Sequence, residues 1–186
     1  MKLLAFSASL RSESLNYKLV RKIAESIENK GDHTVMVVNL KDFELPFYDG
    51  DIEMENGLPE NAKKFKEILN HMDGLVISCP EYNGGISAVM KNFIDWVSRK
   101  GEDTEAKLAF KDKIAFIACA TTSQGGGKRG LNVLRMILGN VGVKVASSQF
   151  GLATADQCFD DEGQFTDKTA ETNLDNAVGE FLNEFK

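Results

Sequence analysis

The chain has 186 residues, of which 42% are hydrophobic, and carries a net charge of −6. This acidic balance argues against nonspecific nucleic-acid binding, which requires a basic face. No apolar run approaches the roughly 18 residues of a membrane span, and the segment Met1–Phe6 has neither the length nor the cleavage pattern of a signal peptide. We therefore expect one cytoplasmic domain over residues 1–186, with no nucleic-acid or membrane partner.

Five apolar runs alternate with segments of helical length. The runs are Leu3–Ser7, Thr34–Leu40, Gly74–Cys79, Ile114–Ala120 and Val143–Phe150. Apolar residues at helical spacing lie between or after them, over 15–27, 62–72, 89–97, 131–141 and 174–182. Strands that alternate with helices predict a parallel sheet with helices on both faces. The fold class is therefore α/β, a three-layer doubly wound sandwich with a five-stranded sheet in the flavodoxin-like order 2-1-3-4-5.

The remaining long segments are predicted to be connections. Phe43–Pro59 is a long loop by its Asp, Glu, Gly and Pro content, and Glu102–Lys107 and Cys158–Asp167 are polar connections. Cys79 and Cys119 lie in apolar runs, where cysteine is usually a small buried hydrophobe. Because no CxxC pair is present, we expect neither a metal site nor a disulfide.

The loop after the first strand is rich in polar side chains and leads into a helix. It contains Ser9, Arg11 and Ser14, and Asn16 follows in the predicted helix. Helix N-termini attract anions, and a guanidinium is a forked donor suited to phosphate. Helix capping by Ser12 or Ser14 is the alternative, but it does not explain Arg11. No G-x-G-x-x-G or P-loop pattern is present, so we expect a terminal phosphate held by side chains.

The third strand stops at Pro80, and a compact polar loop follows. Tyr82 can stack, Asn83 can bond the edge of a heterocycle, and Gly84 and Gly85 let the backbone approach a ring. A plain strand-to-helix turn is the alternative. Open α/β sheets bind ligands beyond the carboxyl ends of their strands, so this loop is predicted to hold a flat ligand.

The fourth strand leads to Thr121 and then to three consecutive glycines, Gly125–Gly127. Such a loop can turn its N–H groups towards a ligand, or it can be a flexible connection to the next helix. Taken alone the loop favours the flexible connection, but its position on the same sheet edge as the other two loops makes the two interpretations about equal.

Together the three loops resemble the NAD(P)H-dependent FMN reductase family of the flavodoxin-like fold, which includes quinone, azo-dye and chromate reductases. The resemblance is carried by Ser9-Leu10-Arg11 with Ser14 and Asn16, Pro80-Glu81-Tyr82-Asn83, Lys91-Asn92 with Asp95-Trp96, and more weakly Gly126-Gly127, Arg129 and Asp161-Glu162-Gly163.

The resemblance implies bound FMN, NADPH or NADH as co-substrate, and small-molecule electron acceptors. It implies a homodimer or homotetramer with the flavin near a subunit interface. The phosphate would be held by Ser9, Arg11, Ser14 and Asn16. The isoalloxazine would be lined by Pro80, Glu81, Tyr82, Asn83 and Gly84, with Thr121 on its other side. No catalytic side chain is implied, because the cofactor carries the hydride chemistry; Glu81 either relays protons or ties its loop.

Some positions depart from the family pattern. Ala8 stands where glycine is frequent, and Gly85 stands where a serine is usual. A flavodoxin-like electron carrier that does not oxidise nicotinamide is the alternative function. Lys128 and Arg129 either favour the 2′-phosphate of NADPH or are simply solvated, so the sequence does not choose between NADPH and NADH.

Overall fold

The computed structural model describes residues 1–101 and 109–186, so the predicted connection Glu102–Lys107 lies outside the described residues. The strands in chain order are β1 (Lys2–Ser7), β2 (Thr34–Asn39), β3 (Gly74–Ser78), β4 (Glu81–Tyr82), β5 (Gly85–Ile86), β6 (Ile114–Ala120), β7 (Lys144–Val145) and β8 (Phe150–Leu152). The helices are α1 (Leu15–Glu28), α2 (Gly50–Asn56), α3 (Glu60–Asn70), α4 (Ala88–Val97), α5 (Lys128–Asn140) and α6 (Lys168–Asn183). Short 3₁₀ turns cover Leu40–Phe43 and Ala155–Gln157.

The central sheet is parallel and is covered on both faces. Its strand order is β2-β1-β3-β6-β7, with β8 also beside β6. Because alternate residues of a strand point to opposite faces, Leu4 and Phe6 join a core with α3, α4 and α5, whereas Leu3 and Ala5 join a core with α1 and α6. The predicted three-layer parallel α/β arrangement is therefore confirmed.

The predicted count of five strands is wrong, because the sheet has six strands within residues 1–101 and 109–186. The expected fifth strand, Val143–Phe150, is split into β7 and β8, which pair with different parts of β6. From Val145 to Phe150 the chain advances five residues, while the partner advances only three, from Ala115 to Ala118. The segment between β7 and β8 therefore has two residues more than the matching part of β6, and it leaves the hydrogen-bonded ladder of the sheet. Arg135 holds this excursion by donating to the Val145 carbonyl oxygen and to Gln149 Oε1.

The segment Phe43–Pro59, predicted to be a loop, contains the short helix α2. Asp49 caps α2 by accepting a hydrogen bond from the N–H of Asp51 at 2.8 Å. None of the α2 residues is buried, so no apolar periodicity marks this helix in the sequence. Within the described part of the chain, no helix combines the length and the apolar character needed to cross a membrane.

Candidate functional site

The carboxyl ends of β1, β3 and β6 lie at one level of the sheet, and Asn16 links the ends of β3 and β6. The register pairs Ser7 with Ser78 and Ser78 with Ala118. Asn16 Nδ2 donates to the Ala120 carbonyl oxygen, and Asn16 Oδ1 accepts from the Ala120 N–H and from Ser78 Oγ, all at 2.9 Å. The Asn16 side chain, expected at the phosphate, is thus buried in the sheet edge, where it makes three hydrogen bonds.

The other three predicted phosphate residues lie in one loop, residues 8–14, at the start of α1. Ser14 Oγ caps the helix by accepting from the N–H of Tyr17 at 3.1 Å, which confirms the capping interpretation. Ser9 Oγ accepts from the N–H of Arg11 at 3.5 Å, and the Arg11 side chain is exposed with no ion pair among the described residues.

Ser7 is a residue of this edge that the sequence did not single out. Its hydroxyl is buried and has no hydrogen-bond partner among the described residues. Ser7 ends β1 directly before the loop at residues 8–14, and the first turn of α1 carries no acidic residue. An unpaired buried hydroxyl, an unengaged guanidinium and a helix N-terminus together suit an anion such as the FMN phosphate.

The loop after β3, which is predicted to hold a flat ligand, is an antiparallel hairpin. Glu81 pairs with Ile86 and Tyr82 with Gly85. The two turn residues, Asn83 and Gly84, have φ values of 51° and 77°. Positive φ at both central residues defines the type I′ turn that Asn-Gly favours. Pro80 is buried, while Tyr82 is 49% exposed, so the hairpin offers one aromatic face and its turn backbone to the edge.

The Glu81 side chain points to α5. Glu81 Oε2 accepts from the N–H of Gly130 at 2.9 Å. The N-cap of α5, Gly127, has no side chain to do this, so Glu81 supplies the acceptor and a negative charge where the helix dipole favours one. A Cβ at Gly130 would lie 3.0 Å from Glu81 Cβ and 3.1 Å from the Gly85 carbonyl oxygen, so the hairpin packs closely on α5. This contact agrees with one of the two interpretations of Glu81, namely that its side chain anchors its own loop.

The other end of the hairpin is held by Ser87. Ser87 Oγ donates to the Ala8 carbonyl oxygen at 2.7 Å and accepts from the N–H of Met90 at 3.3 Å. It therefore caps α4 and joins the hairpin to the loop at residues 8–14.

The third loop is built around close backbone packing. Thr121 donates its N–H to the Leu152 carbonyl oxygen at 3.0 Å. Thr121 Oγ1 accepts from the N–H of Ser123 at 3.2 Å. Gly127 has a φ of 71°, and a Cβ there would lie 2.6 Å from Cys119 Cβ. The glycine therefore has a packing reason that is independent of any ligand.

Arg129 lies beside the hairpin turn. Its Cδ is 3.7 Å from the position that a Cβ on Gly84 would occupy. The sequence allowed two interpretations of Arg129, a contact to the 2′-phosphate of NADPH or a solvated residue at a helix start. The structure places Arg129 beside the hairpin turn of the candidate site.

The cysteines of this edge are unsuited to covalent chemistry. All three are unpaired and buried. Burial raises the pKa of Cys79 to about 11 and that of Cys119 to about 12. Since the thiolate is the nucleophile, neither residue is reactive near neutral pH.

Solved structures of similar shape define the class of the fold. The chain matches a flavoenzyme NAD(P)H:(acceptor) oxidoreductase from Paracoccus denitrificans with a TM-score of 0.80 and 24% identity, over 98% of this chain and 95% of that one. It matches flavodoxin 1 from Bacillus cereus with a TM-score of 0.63 and 15% identity, over the full length of both. The fold is therefore flavodoxin-like.

The sequence relatives are more specific. The sequence model of NADPH-dependent FMN reductases matches residues 1–157. An NAD(P)H-dependent FMN reductase of Pseudomonas aeruginosa is 31% identical over 172 residues, which is 91% of this chain and 87% of the relative. A quinone reductase of Escherichia coli K12 is 37% identical over 97 residues, which cover 51% of this chain and 48% of the relative. The chain belongs to the NADPH-dependent FMN reductase family, which confirms the resemblance inferred from the three loops.

Proposed function

We propose that the chain is an FMN-containing oxidoreductase that takes hydride from NADPH or NADH and reduces a small acceptor. FMN held at this edge would supply the hydride-accepting and two-electron chemistry of the reaction. With a quinone as acceptor, NAD(P)H supplies the hydride, solvent supplies one proton, and the products are NAD(P)⁺ and the hydroquinone. The single observation that carries the proposal is the meeting of a helix N-terminus and a rigid hairpin turn at one sheet edge.

The residues of this edge divide the work of binding. Arg11, Ser9 and the first N–H groups of α1 hold the phosphate, and the unpaired hydroxyl of Ser7, at the end of β1, is a further donor. Pro80, Tyr82 and the turn at Asn83 and Gly84 place their backbone and one aromatic ring against the isoalloxazine, and Thr121 closes the other side. The remaining predicted residues contribute indirectly, because their side chains hold the backbone of the site in place: Ser14, Asn16 and Glu81.

Titration of the apo-protein with FMN tests the proposal. Replacing Arg11 with Ala should weaken FMN binding about tenfold to a hundredfold, because a charge-assisted contact to phosphate is lost, and should leave folding stability unchanged. Arg21→Ala is the matched control, since Arg21 is also exposed but lies on the outer face of α1. Equal FMN affinity in wild-type and Arg11→Ala protein would remove Arg11 from the site.

Stopped-flow mixing with NADPH or NADH separates an enzyme from an electron carrier. Rapid bleaching of the bound flavin by either nucleotide is expected. Flavin that binds tightly but is not reduced would support the flavodoxin-like carrier instead.

We further propose that residues 1–186 form one domain that acts in the cytoplasm as a homodimer or homotetramer. The exposed apolar side chains Phe47 and Met54, 82% and 80% exposed, support self-association. Sedimentation velocity of the purified protein tests the oligomeric state, and fractionation of cells tests the location.

A further inference from the structure

A cleft of about 480 Å³ lies next to the proposed flavin site but contains none of the residues assigned to it. It is bounded by the loop at residues 8–14, the segment 40–47 and the start of α4. Its apolar lining includes Leu10, Phe43, Leu45, Phe47, Val89 and Phe93. Volume and lining are those of pockets that bind small organic molecules.

The floor of the cleft is a fixed aromatic cluster. Phe93 is 2% exposed. Phe65 packs edge-on against Phe93 at 4.5 Å and against Phe43 at 5.0 Å, between ring centroids. Edge-to-face pairs of this kind hold one another in place, so the floor is formed before any ligand arrives.

The rim is unusual because the backbone around Phe47 is fixed while its ring is exposed. Asn92 Nδ2 and Trp96 Nε1 both donate to the Pro46 carbonyl oxygen, at 2.9 and 2.7 Å. The N–H of Tyr48 donates to Asn92 Oδ1 at 2.8 Å. Three hydrogen bonds thus hold the residues on either side of an aromatic ring that is 82% exposed, and a ligand in the cleft would bury one face of that ring.

The charges of the cleft favour an anion. Ala88 and Val89, the first two residues of α4, line it, and the first turn of α4 has no acidic residue. Lys41 also lines the cleft and forms no ion pair among the described residues. Glu44 is the opposing charge. A helix N-terminus and a lysine outweigh one exposed carboxylate.

We infer that this cleft is a subsite for a planar aromatic anion, such as an aromatic carboxylate or sulfonate, with Lys41 as the residue that selects for its charge. The ligand lies on Phe43 and Phe93 under the ring of Phe47. The cleft shares Leu10 with the loop proposed to bind the FMN phosphate and contains none of the residues proposed to line the isoalloxazine. We therefore assign it as a holding site, from which an electron acceptor moves to the hairpin to be reduced; that role rests on the proposed function.

Equilibrium binding of 2-naphthoate, which cannot be reduced as a quinone is, tests the subsite without turnover. Isothermal titration of the FMN-loaded protein should show binding of 2-naphthoate and at least tenfold weaker binding of uncharged 2-naphthol. Lys41→Gln should weaken 2-naphthoate binding about tenfold and leave 2-naphthol unchanged, since one charge-assisted contact is lost. Glu44→Gln should strengthen it about twofold. Lys64→Gln, an exposed lysine of α3 away from the cleft, should change nothing.

Turnover gives a second readout. With saturating NADPH, 1,2-naphthoquinone-4-sulfonate should show a KM at least fivefold below that of 1,2-naphthoquinone, and Lys41→Gln should remove this difference with little change in kcat. Each quinone takes one hydride equivalent and one solvent proton to become its hydroquinone, as above.

The outcomes separate the two proposals. FMN binding without naphthoate binding, or naphthoate binding unaffected by Lys41→Gln, overturns the subsite alone. Naphthoate binding to protein that does not retain FMN overturns the acceptor role and the proposed function. If Phe47→Ala shifts the sedimentation coefficient to that of a smaller species and naphthoate does not bind the wild type, a second copy of the chain fills the cleft and the subsite is wrong.

Discussion

Two neighbouring segments of the sheet edge, the loop at residues 8–14 and the hairpin of β4 and β5, are built in opposite ways. The loop presents the exposed side chain of Arg11, which forms no ion pair among the described residues, next to the buried Ser9, whose hydroxyl accepts from the Arg11 N–H. The hairpin presents mainly backbone, and Glu81 and Ser87 anchor it at both ends. Affinity in the loop can therefore change without a change in the fold, whereas the hairpin can change its ligand contacts only when its anchors move.

Asn16 tests this difference between loop and hairpin most strongly, because its backbone lies just after the loop while its side chain bonds the ends of β3 and β6. Asn16→Ala would leave Ser78 Oγ and both backbone groups of Ala120 without a partner in a buried position. We expect a loss of about 3 kcal/mol in the free energy of unfolding. Urea denaturation measures it, with Asn70→Ala, at the exposed end of α3, as the control. A loss below about 1 kcal/mol would mean that Asn16 serves the ligand and not the fold.

Glu81 tests whether the hairpin depends on its anchor. Glu81→Ala removes the acceptor at the start of α5 and should cost about 1.5 kcal/mol, with weaker FMN binding as the hairpin loosens. Glu81→Gln keeps an amide oxygen for the Gly130 N–H, so its stability and FMN affinity should stay near wild type. Urea denaturation and FMN titration report both quantities. Full stability and FMN affinity but lost turnover in Glu81→Gln would instead assign Glu81 to proton transfer.

The hairpin turn should show the smallest effect. Gly84→Ala forces an alanine to a φ of 77° and should cost about 1 kcal/mol. Gly85→Ala, one residue on, meets only an ordinary contact at 3.7 Å to the Tyr82 carbonyl oxygen and should be neutral within about 0.5 kcal/mol. Thermal unfolding of the two variants compares them directly, and equal losses would contradict the turn geometry.

The sequence was most informative where burial sets the pattern. Apolar runs and helical stripes located β1, β3, β6 and the five long helices, because each buries one face or both. α2 escaped detection because it buries nothing, although Asp49 and Gly57 mark its ends. The split of the fifth strand depends on its register against β6, which is a tertiary property that no local pattern in Val143–Phe150 carries.

The common position of the three loops was predictable from the sequence, whereas the contacts within them were not. The strand ends correctly placed the three polar loops at one edge of the sheet, and the ligand contacts that the family resemblance implies there stay predictions. The Asn83-Gly84 pair is a known hairpin signal that the sequence analysis took only as ligand contact. The partner of Glu81 lies 49 residues away along the chain, and the inward turn of Asn16 needs the ends of two other strands, so neither was available from spacing.

The contact between Gly126 and Gly151 limits how loops can be exchanged among relatives. A Cβ on Gly151 would overlap the carbonyl oxygen of Gly126, and one on Gly126 would lie 3.2 Å from the carbonyl oxygen of Gly151. The two main chains touch there, so a graft that replaces the 121–127 loop alone would set a foreign backbone against β8. Chimeras made to transplant acceptor preference should therefore carry both segments from the same donor protein.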